Sequence, residues 1–201
     1  MKNFLAIIFS LFFIDSALAQ NDDTSKKVKV FVADLGNSII QIAGEAKTSE
    51  IKKREKIITK IDNVLDANWI ARFTLGKNYK TATDPQKTRF LELYRQFMIN
   101  TYGPKFKNYN GRRFDVLSIE QQSSFYVAKC EFLPHDSDAP IKVDFRVKDR
   151  DGKLSVLDFV AEGVSLIETQ RSEFNSAISQ NGMGKFLDDF AERVRKLKLE
   201  K

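Results

Sequence analysis

An α+β fold is what this sequence predicts: one domain in which helices wrap around a curved four-stranded, mainly antiparallel sheet. Three observations carry the expectation. Apolar residues recur at helical spacing as far as Tyr102; from Arg112 to Ala161 they alternate; from Phe174 they return to helical spacing. A block of strands between blocks of helices places a sheet against helices, not a parallel sheet of alternating βα units. With 201 residues, 42% of them hydrophobic, the chain has material for one cored domain, and it carries no internal repeat, linker or low-complexity segment.

Each element has its own signal. In VKVFVADLGNSIIQIAGE, residues Val28, Val32, Leu35, Ile39 and Ile42 share a helix face. Thr48 is the cap expected for the next helix, which turns Ile51, Ile57, Ile58 and Ile61 inward. Its Lys52, Lys53, Arg54 and Lys56 form a basic cluster, either a solvated face or a docking face. Asp66 is expected to cap a short helix over Trp69, Ile70, Phe73 and Leu75, which Gly76 closes. Asp84-Pro85 opens the longest helix expected, with the stripe Phe90, Leu93, Tyr94, Phe97, Met98, Thr101 and Tyr102, and Gly103-Pro104 ends it.

RRFDVLSIE, SSFYVAKCEF, IKVDFRVKD and KLSVLDFVA then read as four strands. The third sets Ile141, Val143, Phe145 and Val147 against Lys142, Asp144, Arg146 and Lys148. Asp149 to Gly152 is a hairpin turn, LPHDSDAP is a longer one, and such short links favour an antiparallel meander with one apolar face. Phe174 and Ile178 resume a helix, Asn181-Gly182 stops it, and Phe186, Leu187, Phe190, Val194 and Leu197 form the last one.

MKNFLAIIFSLFFIDSALAQ has the pattern of a secretory signal peptide: Lys2, an apolar run from Phe4 to Ile14, and small residues at Ala17 and Ala19. Residues 1–19 are therefore read as a cleaved leader and 20–201 as the domain. The apolar run is too short to span a bilayer core of ~30 Å, and Gln20, not Cys, follows the site, so no lipoprotein anchor is expected. Loss of Lys2 and Asp15 leaves the net charge at +6. Export makes nucleic acid the poorest partner for this charge, ahead of which stand an anionic membrane surface and an acidic protein.

Catalytic patterns are absent from the sequence. GVS at 163–165 lacks the second glycine of a nucleophile elbow and follows antiparallel strands. The single histidine, His135, lies in a turn, and the single cysteine, Cys130, lies in an apolar run as a buried thiol with no disulfide partner. No metal-ligand spacing, P-loop or dinucleotide fingerprint occurs. The carboxylate pairs Glu168 with Glu173 and Asp188 with Asp189 read as solvated helix residues. The chain is read as a non-enzyme without cofactor, while periodicity alone leaves open whether the helices and sheet enclose a hollow or a filled core.

Two stretches resemble a known family. DFVAEGVSLIETQRSEFNSAISQNG is similar to the signature of the MlaC-type periplasmic phospholipid-binding proteins, also called the toluene-tolerance auxiliary family: a strand entering EGVS, a helix with Q/R-x-E-F/W and a closing Gly. The matching positions are Glu162, Gly163, Val164, Ser165, Arg171, Glu173, Phe174 and Gly182. DANWIARFTLGKNYKTATDPQKTRFLELYRQFMINTYGPKF resembles that family's F-D-x-x-x-[IM]-[AS]-x-x-x-L-G-x-x-W/Y segment at Asp66, Ile70, Ala71, Leu75, Gly76 and Tyr79, with Leu65 in place of the usual Phe and Tyr79 where Trp is common.

The resemblance implies a periplasmic carrier, exported by a cleavable signal peptide, with a hydrophobic lipid cavity. Acyl chains of a glycerophospholipid sit inside and the headgroup stays outside, as cargo and not as cofactor. The implied partners are an outer-membrane lipoprotein complex and an inner-membrane ABC transporter complex with an MCE-domain subunit, and the implied role is outer-membrane lipid asymmetry. Candidate lining residues on the apolar faces are Trp69, Phe73, Phe97, Tyr102, Phe125, Val127, Phe145, Val147, Leu157 and Val164; Arg171 and Glu173 are expected to pair or cap structurally, with a rim contact to phosphate as the alternative for Arg171. Two rivals stand beside this reading: a small-ligand enzyme on a cone-like α+β fold using Asp144 or Asp158, and a protein-interaction or chaperone module without lipid.

Overall fold

The computed structural model describes residues 14–102, 113–133 and 139–199. The elements are α1 (Ile14–Ala43), α2 (Glu50–Asp62), α3 (Ala67–Leu75), α4 (Asn78–Thr81), α5 (Asp84–Tyr102), β1 (Arg113–Gln122), β2 (Phe125–Leu133), β3 (Ile141–Arg150), β4 (Lys153–Ala161), β5 (Val164–Ser165) and α6 (Leu166–Leu199). His135 and the Gly103-Pro104 break lie outside the described residues, as do the side chain of Tyr102 and most of the predicted leader.

The strands form one antiparallel meander in the order β1-β2-β3-β4-β5. Five strands replace the four expected. The addition is the two-residue β5, which pairs with Val160 and Ala161. Glu162 (φ 48°) and Gly163 (φ 80°) both adopt left-handed backbone, the requirement of a two-residue hairpin turn whose twist matches the strands. A stretch expected to turn strand directly into helix thus folds back as a strand first. Asp151 and Gly152 make the same kind of turn between β3 and β4.

The sheet packs one face on α1. Val28, Val32, Leu35 and Ile39 of α1 meet Phe114, Tyr126, Ala128, Cys130, Phe132, Phe145, Val147 and Val156, with Ile57 of α2 at the edge. Contact is closest at Gly36, where an added Cβ would stand 2.1 Å from the Phe114 ring. That ring is itself held by Phe132 at 4.6 Å and Phe145 at 6.0 Å. Gly36→Ala should therefore lower the melting temperature although alanine is the better helix former. Overpacking costs ~1–3 kcal/mol, against ~1 kcal/mol gained in propensity. Thermal melting of the variant checks this.

A second cluster is helical. Ile70, Ala71 and Leu75 of α3, Phe90, Tyr94 and Phe97 of α5, and Ile167, Phe174, Ile178, Phe186, Leu187, Phe190 and Val194 of α6 pack together. Gly182 (φ 77°, ψ 163°) breaks α6 where Asn181-Gly182 predicted a stop. The break sets Phe186 and Phe190 at 5.4 and 5.1 Å from Phe174.

Three local expectations shift. Ser49, not Thr48, caps α2 by accepting from the Lys52 amide, while the Thr48 hydroxyl donates to Glu45. Thr83, not Asp84, caps α5, in a reciprocal pair with Gln86. The 19-residue α5 is shorter than the 30-residue α1. The QNDDTSKK stretch of α1 has no apolar stripe, so its helicity was invisible to periodicity.

Candidate functional site

Between the two clusters lies a cavity of about 610 Å³. Its floor is the far end of the sheet: Phe132, Ile141, Val143, Phe145, Phe159 and Ala161. One wall is α2 with Ile57, Ile58 and Ile61; the other is Ile70, Tyr94 and Met98. Val164 and Leu166 line the end where β5 runs into α6. Leu65, between α2 and α3, packs against both clusters and lines the cavity. Each cluster is complete without the other, and this leaves the gap between them unfilled.

The walls are apolar, and the few polar groups are occupied. The Tyr94 hydroxyl donates to Gln170 Oε1 at 2.5 Å, leaving the ring for the wall. Arg95 Nε donates to Asp62 Oδ1 at 2.9 Å, and its Nη2 donates to Oδ2. Two lining residues also reach solvent: Ile141 and Val164 are 48% and 63% exposed. Apolar walls whose few polar groups are already paired fit a site for apolar matter.

The local chemistry of EGVS builds this end. Glu162 extends the ladder through its amide to the Lys142 carbonyl and its carboxylate from the Lys142 amide. Ser165 caps α6 by accepting from the Glu168 amide at 3.1 Å and donates its own proton to Asp158 at 2.6 Å. Asp158 also accepts from the Ile167 amide at 3.2 Å and pairs with Arg146 at 3.3 Å. Burial pushes its carboxyl above the usual range, and the Ser165, Ile167 and Arg146 contacts oppose the shift. This carboxylate anchors α6 to the sheet. Neither it nor Asp144 lines the cavity. Cys130 is buried, and burial pushes its thiol up to about 12. Among the described residues no His, Cys, Asp and Glu cluster has the makings of a metal site, and no helix is long and apolar enough to cross a membrane.

Residues 33–192 match the family described as "MlaC protein". The chain belongs to the MlaC family. Its resemblance to the toluene tolerance protein ttg2D of Pseudomonas putida runs over 138 residues at 23% identity, covering 67% of this chain and 64% of that protein. The chain thus matches a little under two thirds of that relative's length. Among solved structures, the MlaC chain is similar to the phospholipid-binding protein from Ralstonia solanacearum in complex with a phospholipid, with a TM-score of 0.75, 19% identity, and coverage of 85% of this chain and 98% of that one. At that identity the likeness speaks for the fold.

Of the lining residues expected from sequence, Phe145 and Val164 border the cavity in this MlaC fold. Seven others lie elsewhere among the described residues. Trp69 and Phe73 stack on each other at 5.1 Å against the helical cluster. Phe97 is buried in that cluster under Arg193. Val147 is fully buried against α1. Val127 and Leu157 are buried outside both clusters, Leu157 as the extra residue of a β-bulge. Phe125 sits beneath Arg146 at the start of β2. Tyr102 falls outside the described side chains. Arg171, read as a structural contact with a rim contact as the alternative, ties α6 to the end of α3. Its Nη1 donates to the Phe73 carbonyl at 2.8 Å and its guanidinium covers the Phe73 ring at 4.8 Å. Glu173 pairs with Arg193.

Sequence reasoning missed the α2 wall and most of the floor. The signal was present in α2, where Ile57, Ile58 and Ile61 make an apolar arc broader than contact with α1 requires. Two of the basic residues beside it are paired locally, Lys53 with Glu50 and Lys56 with Glu45.

Proposed function

We propose that this chain is a periplasmic phospholipid carrier. It moves glycerophospholipid between an outer-membrane lipoprotein complex and an inner-membrane ABC transporter with an MCE-domain subunit, and so serves outer-membrane lipid asymmetry. The observation that carries the reading is the open apolar cavity between two independent cores. An apolar cavity of ~150 Å³ takes one benzene, so on that scale 610 Å³ takes roughly two dozen carbons. That is more than one ordinary acyl chain and less than two. Each buried methylene gains ~0.8 kcal/mol, so the walls alone supply the holding force and no catalytic group is required. The family membership and the phospholipid found in the Ralstonia protein support the same cargo. Asp144 and Asp158, which an enzyme reading would require at the cavity, line no part of it.

Native mass spectrometry of the protein purified from a bacterial periplasm tests the proposal. The expected result is a polypeptide beginning at Gln20 that carries one phospholipid mass. A chain that retains residues 1–19 would defeat the export reading, and a lipid-free chain under gentle conditions would defeat the carrier reading in favour of an interaction module.

A further inference from the structure

We propose that the Asp62–Arg95 pair is a headgroup filter, selecting lipids whose phosphate is accompanied by an ammonium group. The inference rests on the carrier reading and goes beyond it. Arg95 and Asp62 are the sole charged residues among those described that line the cavity. Asp62 ends α2 and Arg95 lies on α5, so the pair bridges two walls. Both reach solvent, with side chains 55% and 28% exposed for Arg95 and Asp62 respectively. They therefore stand where a chain buried in the cavity would present its polar end.

The geometry supplies the chemistry. Arg95 holds Asp62 through two parallel N–H donors. The guanidinium fork that fits a carboxylate fits a phosphate oxygen pair equally well. A phosphodiester brought to the opening by its acyl chains competes with Asp62 for that fork. Once displaced, the Asp62 carboxylate loses its guanidinium partner, and no other cation among the described residues lines the cavity. A headgroup carrying a primary ammonium offers one, so a zwitterion replaces the internal pair with two pairs of its own. A headgroup with phosphate and no cation leaves two anions sharing one arginine. No bond is made or broken; one ion pair is exchanged for two.

The test loads the mature protein from vesicles of equal phosphatidylethanolamine and phosphatidylglycerol, and measures the bound ratio by lipid extraction and mass spectrometry. The wild-type pool should be richer in phosphatidylethanolamine than the vesicles. Asp62→Asn removes the ammonium acceptor and should shift the ratio toward phosphatidylglycerol by up to about fivefold, the range of an exposed ion pair. Arg95→Gln leaves the Asp62 carboxylate in place without its guanidinium partner and should keep the bound pool rich in phosphatidylethanolamine while lipid is still bound. Unchanged melting midpoints in both variants keep the comparison free of folding effects. Lipid bound at one ratio in all three proteins overturns the filter and leaves the carrier standing. No lipid in the wild type overturns both.

Discussion

Val143→Trp is expected to strip the purified protein of its lipid while leaving it folded. Val143 is half-buried on β3 and borders the cavity. An indole there projects into open volume, so the packed clusters need not move. Displacing on the order of four methylenes of cargo forfeits ~3 kcal/mol, about a hundredfold in retention. The readout is lipid per protein by native mass spectrometry, beside an unchanged circular dichroism melt. A variant that keeps a full lipid load would show that the cargo lies somewhere other than between the two cores.

The second large effect concerns stability. Phe174 is 1% exposed and meets Phe90 at 5.8 Å, Tyr94 at 6.3 Å, Phe97 at 6.5 Å, Phe186 at 5.4 Å and Phe190 at 5.1 Å. It is the common neighbour of rings from α5 and from the part of α6 beyond the Gly182 break. Phe174→Ala should cost ~3–5 kcal/mol, the range for a buried phenylalanine, and lower the melting temperature by roughly 10 °C at this chain length. Calorimetry of the variant checks it. A loss below ~1 kcal/mol would mean the surrounding rings collapse into the space, which their mutual contacts oppose.

The strands were legible because alternation over nine or ten residues leaves little choice of face. β5 was not, because two residues cannot display a period, and its cue was the positive φ that Glu162-Gly163 adopts only in the fold. Caps were misplaced by one residue where neighbours of similar chemistry compete, Thr48 with Ser49 and Thr83 with Asp84. The cavity was the hardest part. Val143 and Val147 share one face of one strand, yet Val143 borders the cavity and Val147 fills the core under α1. The same holds on α5, where Met98 borders the cavity and its neighbour Phe97 is buried among rings. Apolar spacing reports that a residue is turned from water. It does not report whether another side chain or a ligand will meet it.

Each of the two cores is closed by its own residues, and this has a consequence for the journey the protein is proposed to make. Cargo adds to stability by mass action, but nothing in either core waits on it to fold. On the proposed route, delivery therefore leaves both cores packed. Under the proposed carrier role, the emptied protein stays folded for the next passenger.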